Sequence, residues 1–293
     1  MTEEPKLTVI IPAFNEEENL KIILPELIEF SNQRNWKIIL VNDGSKDNSR
    51  GVLNSYKEKK NMEIIHHKLN KGYGAAIKSG IDKCATEFCI TIDADGQHQF
   101  EDIERLYQTL LNNDADMVVG SRKGTRSASV ARGLGKSIIR FIAKIQMPVP
   151  IHDINSGMKI YRTDLAKKYM YLAPDNMSYS DVITLLFLNN RHLVLEEPIK
   201  ITKRLAGKST IGIQTAFQTV MEIINIVILF NPMKIFLPIS LLCIIATLSY
   251  ALPLLIIRKL VSTGMVLGVV SGLIFFLLGL IAEQLSALRK ANK

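Results

Sequence analysis

The chain has 293 residues, 47% hydrophobic and 22% charged, with a formal net charge of +8. Residues 211–293 carry only 8 of the charged side chains, so the first 210 have an ordinary soluble density and the tail does not. That split excludes a disordered chain and a small disulfide scaffold, and weighs against a purely soluble protein.

Short Val- and Ile-rich runs alternate with segments of helical period through the first 210 residues, the pattern of βαβ units and a mostly parallel sheet. Strands are expected at Leu7–Ile11, Trp36–Val41, Met62–His66, Phe88–Ile92 and Met117–Val119, with a late one around Leu193–Ile201. Helices are expected between them, near Asp47–Lys60, Gly74–Cys84 and Phe100–Asn113. The first helix is announced by Asn15 with Glu18 three residues on, a capping-box arrangement.

In open α/β sheets ligands lie beyond the carboxyl ends of the strands. Those ends read Pro12-Ala13-Phe14-Asn15-Glu16, Asn42-Asp43-Gly44-Ser45 and Asp93-Ala94-Asp95-Gly96-Gln97-His98. Two carboxylates at i and i+2, with the Gln97 oxygen nearby, suit Mg²⁺ or Mn²⁺ when substrate phosphates complete the shell. Asp43 is either an Asx-turn residue for the next helix or an acceptor for a base or ribose.

Asn70-Lys71-Gly72-Tyr73-Gly74 invites a dinucleotide-binding reading, but Ile77 stands where the third glycine belongs. The alternative is that its small residues let a helix approach the sheet. Arg132, Lys136, Arg140 and Lys144 recur every four residues among Ile138, Phe141 and Ile142, a helix suited to anionic headgroups or simply a solvated face. No recognised nucleic-acid motif accompanies this stripe. Asp153-Ile154-Asn155-Ser156-Gly157 and Lys203-Arg204-Leu205-Ala206-Gly207-Lys208 are further polar loops. The second sits before the apolar tail, where phosphate contact is favoured.

Ile211–Phe230 has one charge and a polar side at Gln214, Gln218, Glu222 and Asn225, so it is expected to lie in an interface, with a third span as the alternative. The 23 uncharged residues 235–257 and the 23 at 260–282 would each make a helix of roughly 34 Å, enough to cross a bilayer. Buried core helices rarely run so long without a polar residue. Met1–Leu7 hold two Glu and no apolar run, unlike a secretory signal peptide, so the large domain is expected in the cytoplasm. Two spans would then return Arg289, Lys290 and Lys293 to the inner face. Cys84, Cys89 and Cys243 form no C-x-x-C pair, so neither zinc nor a disulfide framework is indicated.

Taken together, Val9-Ile10-Ile11-Pro12-Ala13-Phe14-Asn15-Glu16, Val41-Asn42-Asp43-Gly44-Ser45, Asn70-Lys71-Gly72-Tyr73-Gly74, Asp93-Ala94-Asp95-Gly96-Gln97-His98 and Val119-Gly120-Ser121-Arg122 resemble, in that order, family 2 glycosyltransferases. With the two later loops and the apolar hairpin, the chain most resembles the polyprenyl-phosphate branch. The resemblance implies an α/β GT-A domain over 1–210, followed by an interfacial helix over 211–232 and a membrane hairpin over 233–293. It further implies inverting transfer of one sugar from a UDP- or GDP-linked donor to dolichyl or undecaprenyl phosphate, and leaves a homo-oligomer open. Carried over by position, Pro12, Phe14, Glu16, Val41 and Asp43 would line the nucleoside pocket. Asp93, Ala94, Asp95 and Gln97 would meet the diphosphate, with Asp93, Asp95 and Gln97 holding Mg²⁺ or Mn²⁺. Arg122, Arg132, Arg204 and Lys208 would contact phosphates, and Asp95, Arg122 and Asp153 would lie at the reacting centre. Transfer to a lipid or glycan hydroxyl, and a binding protein without turnover, are the competing readings.

Overall fold

The computed structural model describes residues 4–122, 150–202, 228, 232–258 and 261–291. Residues 4–122 and 150–202 belong to one compact unit, and the two C-terminal helices to another. In the first unit the order is β1 (Leu7–Ala13), α1 (Glu17–Gln33), β2 (Lys37–Asn42), α2 (Ser49–Asn54), β3 (Met62–His66), α3 (Tyr73–Lys83), β4 (Phe88–Thr91), α4 (Phe100–Asn113) and β5 (Met117–Ser121). It continues with β6 (Lys159–Arg162), α5 (Thr163–Met170), α6 (Tyr179–Asn189) and β7 (Val194–Pro198).

One seven-stranded sheet in the order β3-β2-β1-β4-β6-β5-β7 organises this unit. Its pairs are parallel except the two made by β6. All seven residues of β1 are buried, which is why the central strands read as unbroken apolar runs instead of alternating. On one face, Leu20, Leu24 and Leu27 of α1 and Ile103, Leu106 and Leu110 of α4 pack on Val9, Ile11, Leu40, Ile90 and Val118. Their spacing of three and four puts them on one stripe of each helix, and each buried leucine contributes about 1.5–3 kcal/mol. Trp36 closes this core edge-on to Phe30 and Tyr107, at 5.9 Å from each ring.

On the opposite face, Gly80 lets α3 close on the sheet, where a Cβ would collide with Ile10 Cγ2. Tyr161 of β6 stacks at 6.1 Å on Phe187 of α6. Gly72 and Gly74, the glycines that invited a dinucleotide reading, lie against the backbone of Asp175 and Pro174, with no room for a Cβ. They serve packing of the α3 start against a neighbouring loop, and Gly80 is the residue that brings helix and sheet together.

The expected strands are present within about two residues, except that the last is shorter. The capping box is not formed. Asn15 has φ 55° and its Oδ1 accepts from the Lys46 amide at 2.7 Å. The start of α1 is held instead by the following βα loop, Glu16 N donating to Ser49 Oγ at 3.1 Å and Glu17 N to Asp47 Oδ2 at 3.0 Å. The helix expected over 47–60 is only Ser49–Asn54. The antiparallel β6 and the helices α5 and α6 occupy a stretch to which sequence periodicity assigned no element. Insertion of β6 between β4 and β5 sets Lys159 opposite Thr91 and Val119, at the carboxyl ends of both neighbours.

The second unit is a helical hairpin of α7 (Met233–Arg258) and α8 (Thr263–Ala291). Pro238 and Pro253 sit inside α7 without ending it. Gly268 and Gly272 of α8 lie against Thr247 and Ile244 of α7, leaving no room for a Cβ, and Ser240 Oγ donates to Gly272 O at 2.7 Å. Small residues and a satisfied hydroxyl are the means by which helices close on one another in lipid. Outward side chains such as Leu242, Leu267 and Ile245 are exposed. Among the described residues, the segments long and apolar enough to span are Met233–Ala251 and Thr263–Leu288. The second begins later than charge counting implied because Ser262 starts the helix, its hydroxyl accepting from Met265 N at 3.3 Å. The interfacial helix expected over 211–232 falls almost wholly outside the described residues.

Candidate active site

The carboxyl ends of β1, β2, β4 and β5 lie on one edge of the sheet, and antiparallel β6 begins there. The loop after β4 carries the two carboxylates, and its shape is fixed by its own residues and by the chain beyond β7. Gly96 has φ 72°, a left-handed turn. Asp95 Oδ1 accepts from Gln97 N at 3.1 Å. Thr202 N donates to Gln97 O at 3.0 Å, and Gln97 Nε2 donates to Thr202 O at 3.4 Å. Buried Asp102 holds the same strand end, accepting from Lys200 N at 3.0 Å. The acidic loop is thus tied to the segment that leads into 203–210.

Asp93 is clamped on three sides. Tyr73 Oη donates to its Oδ1 at 2.8 Å, His98 Nε2 lies 3.5 Å from its Oδ2, and Gly157 backs the carboxylate so closely that a Cβ would overlap it. Burial pushes the Asp93 carboxyl up, but His98, the Tyr73 hydroxyl and the Arg122 charge together hold it below the ordinary value. Burial and Asp93 in turn push the Tyr73 phenol well up, so the hydroxyl stays a donor. Tyr73, His98 and Gly157 carry this arrangement and were not singled out from sequence. The one signal was the placement of Tyr73 between two constrained glycines.

Arg122, at the end of β5, forms a two-pronged pair with Asp153. Its Nε donates to Oδ2 at 2.6 Å and Nη2 to Oδ1 at 2.7 Å, while its backbone N reaches Oδ2 at 3.1 Å. Nη2 also donates to Asn155 Oδ1 at 2.7 Å. Burial lowers the guanidinium pKa, and Asp153, Asp93 and Asp181 more than offset that, leaving it raised. The loop bearing Asp153 is held by Glu196 of β7, whose Oε1 accepts from His152 N and Asp153 N at 2.9 and 2.8 Å. Asp153, expected at the reacting centre, stands beside Arg122 on the sheet edge. Both its oxygens are engaged in orienting Arg122.

Three of the positions expected to meet the donor are buried. Val41 is wholly buried and lies beneath Gly80 of α3, so it belongs to the core. Ala94 is likewise a core residue. Asp43 is 2% exposed, and its carboxylate accepts from His67 Nδ1 at 2.6 Å, Lys71 N at 2.9 Å and Gly72 N at 2.8 Å. It faces the loop before α3. The turn expected of Asp43 is made by Asn42, whose Oδ1 accepts from Ser45 N at 3.0 Å. Pro12 is buried at the end of β1, Phe14 is exposed on the edge, and Glu16 is bonded to Asn19 Nδ2. Arg132, Arg204 and Lys208 lie outside the described residues.

Carboxylate and amide oxygens on a glycine turn are a donor set for a hard divalent cation. Among the described residues no three His, Cys, Asp or Glu side chains converge into a closed cage. The set fits a cation that shares its shell with substrate oxygens.

Known proteins give this edge a context. The Glycosyl transferase family 2 model matches residues 8–170, and the GtrB C-terminal hairpin model matches 231–288. Polyprenol monophosphomannose synthase of Mycolicibacterium smegmatis is 31% identical over 212 residues, covering 69% of this chain and 79% of that protein. Dolichyl-phosphate beta-glucosyltransferase of Dictyostelium discoideum is 30% identical over 181 residues, 55% of each chain, so the match spans about half of that relative. Glucosyl-3-phosphoglycerate synthase of Mycobacterium tuberculosis, solved with Mg²⁺ and UDP, superposes with a TM-score of 0.59 at 13% identity, over 76% of this chain and 78% of that one. That likeness shows the GT-A fold. The chain belongs to glycosyl transferase family 2, and it carries the C-terminal hairpin of the GtrB type.

Proposed function

We propose that the protein transfers one sugar, with inversion, from a nucleotide-diphosphate donor to a membrane polyprenyl phosphate. The observation that carries this reading is the convergence of the clamped Asp93–Gln97 loop and the Arg122–Asp153 pair on one sheet edge of a chain that also has an apolar hairpin. Relatives named dolichyl-phosphate beta-glucosyltransferase and polyprenol monophosphomannose synthase support it.

Asp93, Asp95 and Gln97 would hold Mg²⁺ or Mn²⁺, which supplies Lewis-acid neutralisation of the diphosphate leaving group. Tyr73 and His98 keep the Asp93 oxygens oriented and its charge in place. Arg122, pre-oriented by Asp153, offers a planar cation to a phosphate without losing rotamer freedom on binding. An acceptor phosphate monoester has a second pKa of about 6, so it arrives ionised and needs no proton acceptor. The engaged state of Asp153 is consistent with that. The harder task is bringing two anions together, which Arg122 and the basic residues of 203–208 serve. The reading includes either a UDP or a GDP donor, a cytoplasmic face for the catalytic unit with both hairpin helices crossing the bilayer, and self-association of the chain.

Purified full-length protein given donor, a short polyprenyl phosphate and Mg²⁺ should form the glycolipid. Asp95→Ala should reduce the rate by about 100-fold or more. Full activity in that variant, or undiminished turnover in excess EDTA, overturns the metal assignment.

A further inference from the structure

Lys159 is the most unusual residue near the site. It begins β6 at the catalytic edge, is 0% exposed, and donates its Nζ to the carbonyl oxygen of Ser156. A fully buried lysine is costly unless something uses its charge. An apolar side chain would extend the core formed by Tyr161 and Phe187 on the same face of the sheet, so packing alone gives no reason for an ammonium.

Its surroundings supply one. The bonded carbonyl belongs to the loop that connects Asp153, Asn155 and Gly157, the residues that orient Arg122 and back Asp93. The loop is fastened at other points as well. Thr91 Oγ1 donates to Gly157 O at 2.7 Å, Thr184 Oγ1 donates to Ile154 O at 3.3 Å, and Glu196 holds His152 and Asp153. Lys159 provides the one ammonium among these fastenings. Burial pushes it down to about 7, while the charges of Asp181, Asp153 and Asp93 favour its protonated form and Arg122 opposes it. One buried cation therefore lies among three carboxylates, two of which shape the site.

We propose that Lys159 is a positioning residue for glycosyl transfer: its buried amino group, bonded to Ser156 O, fixes the Asp153–Gly157 loop so that Arg122 and Asp93 stand in register for the donor and acceptor phosphates. This rests on the proposed transferase reading. The structural alternative is that Lys159 merely balances buried Asp181.

The test uses full-length protein in detergent with Lys159→Met and the double variant Lys159→Met/Asp181→Asn. The double variant removes both charges, so a purely charge-balancing role predicts recovery of stability and activity together. Positioning predicts that its melting temperature recovers while kcat stays about 10- to 100-fold below wild type, with donor KM changed by less than about threefold. Hydrogen exchange reads the loop without any substrate. The amides of His152, Asp153 and Ser156 should exchange about tenfold faster or more in both variants, with those of α1 unchanged. Wild-type kcat in either variant, recovery of kcat in the double variant, unchanged loop exchange, or failure of both variants to fold each overturns the proposal. Absence of transfer by the wild type on polyprenyl phosphate overturns the transferase reading instead, and the exchange result still decides whether Lys159 holds the loop.

Discussion

The loops after β2 and β4 present nearly the same element to the same sheet edge, a parallel strand ending in an aspartate, yet the two carboxylates have opposite fates. Asp43 turns inward and accepts from His67 and two backbone amides, so it closes the start of α3 onto the sheet. Asp93 is held by the side chains of Tyr73 and His98, and 35% of its side chain stays exposed. The difference lies in what the neighbouring loops donate. Backbone N–H groups from residues 71 and 72 use up Asp43, whereas no described backbone amide bonds Asp93. A strand-end aspartate is an anchor in the first case and, in the proposed function, a ligand in the second.

Substitutions at the two positions should separate cleanly. Asp93→Asn should lower kcat by about 10²–10³-fold, with a melting temperature close to wild type. A loss of stability without loss of kcat would place Asp93 with Asp43. Next in size, Arg122→Lys keeps the charge but loses the planar pairing with Asp153, and kcat/KM should fall by about 10- to 100-fold; wild-type kinetics would show that the pair is incidental. Asp43→Asn should lower the melting temperature by roughly 5–10 °C, from about 2–3 kcal/mol of lost charge-assisted hydrogen bonding. Its kcat, measured at 25 °C, should stay within about threefold of wild type. A large kcat loss in a stable Asp43→Asn protein would return that residue to the substrate.

The smallest effect concerns pH. Below about 7, Lys159 is protonated both folded and unfolded, and the folded chain bears the whole cost of burying it. Between about 7 and the ordinary value of 10.5 the unfolded chain still binds a proton that the folded chain has released. Stability contributed by this group therefore rises across that window. Wild type should gain melting temperature relative to Lys159→Met from pH 7 to 10, with Asp153, Asp181, Asp93 and Arg122 setting the extent. A flat difference would contradict the assigned shift.

The parallel strands were legible because burial on both faces demands continuous Val and Ile runs, and α4 because Ile103, Leu106 and Leu110 keep one helical stripe. The α1 cap was not, since its partners Asp47 and Ser49 come from about 30 residues away, beyond the reach of a local rule. β6 was hidden for a related reason. Its residues Lys159-Ile160-Tyr161-Arg162 are only four, bracketed by two cations like an exposed edge, yet Lys159 is interior because the sheet runs on past it. The acidic loop and Arg122 could be found from residue type and strand position. Glu196, Tyr73 and His98 could not, because each acts through another residue's carboxylate or amide, and that relation exists only in three dimensions.

The most direct test of the account offers purified full-length protein a panel of UDP- and GDP-linked sugars with Mg²⁺, against a short polyprenyl phosphate and its dephosphorylated alcohol in the same vesicles. Mass spectrometry should find a single hexose joined to the phosphate of the polyprenyl phosphate and none on the alcohol. Sugar attached to a hydroxyl, or donor bound without transfer to either lipid, would contradict it.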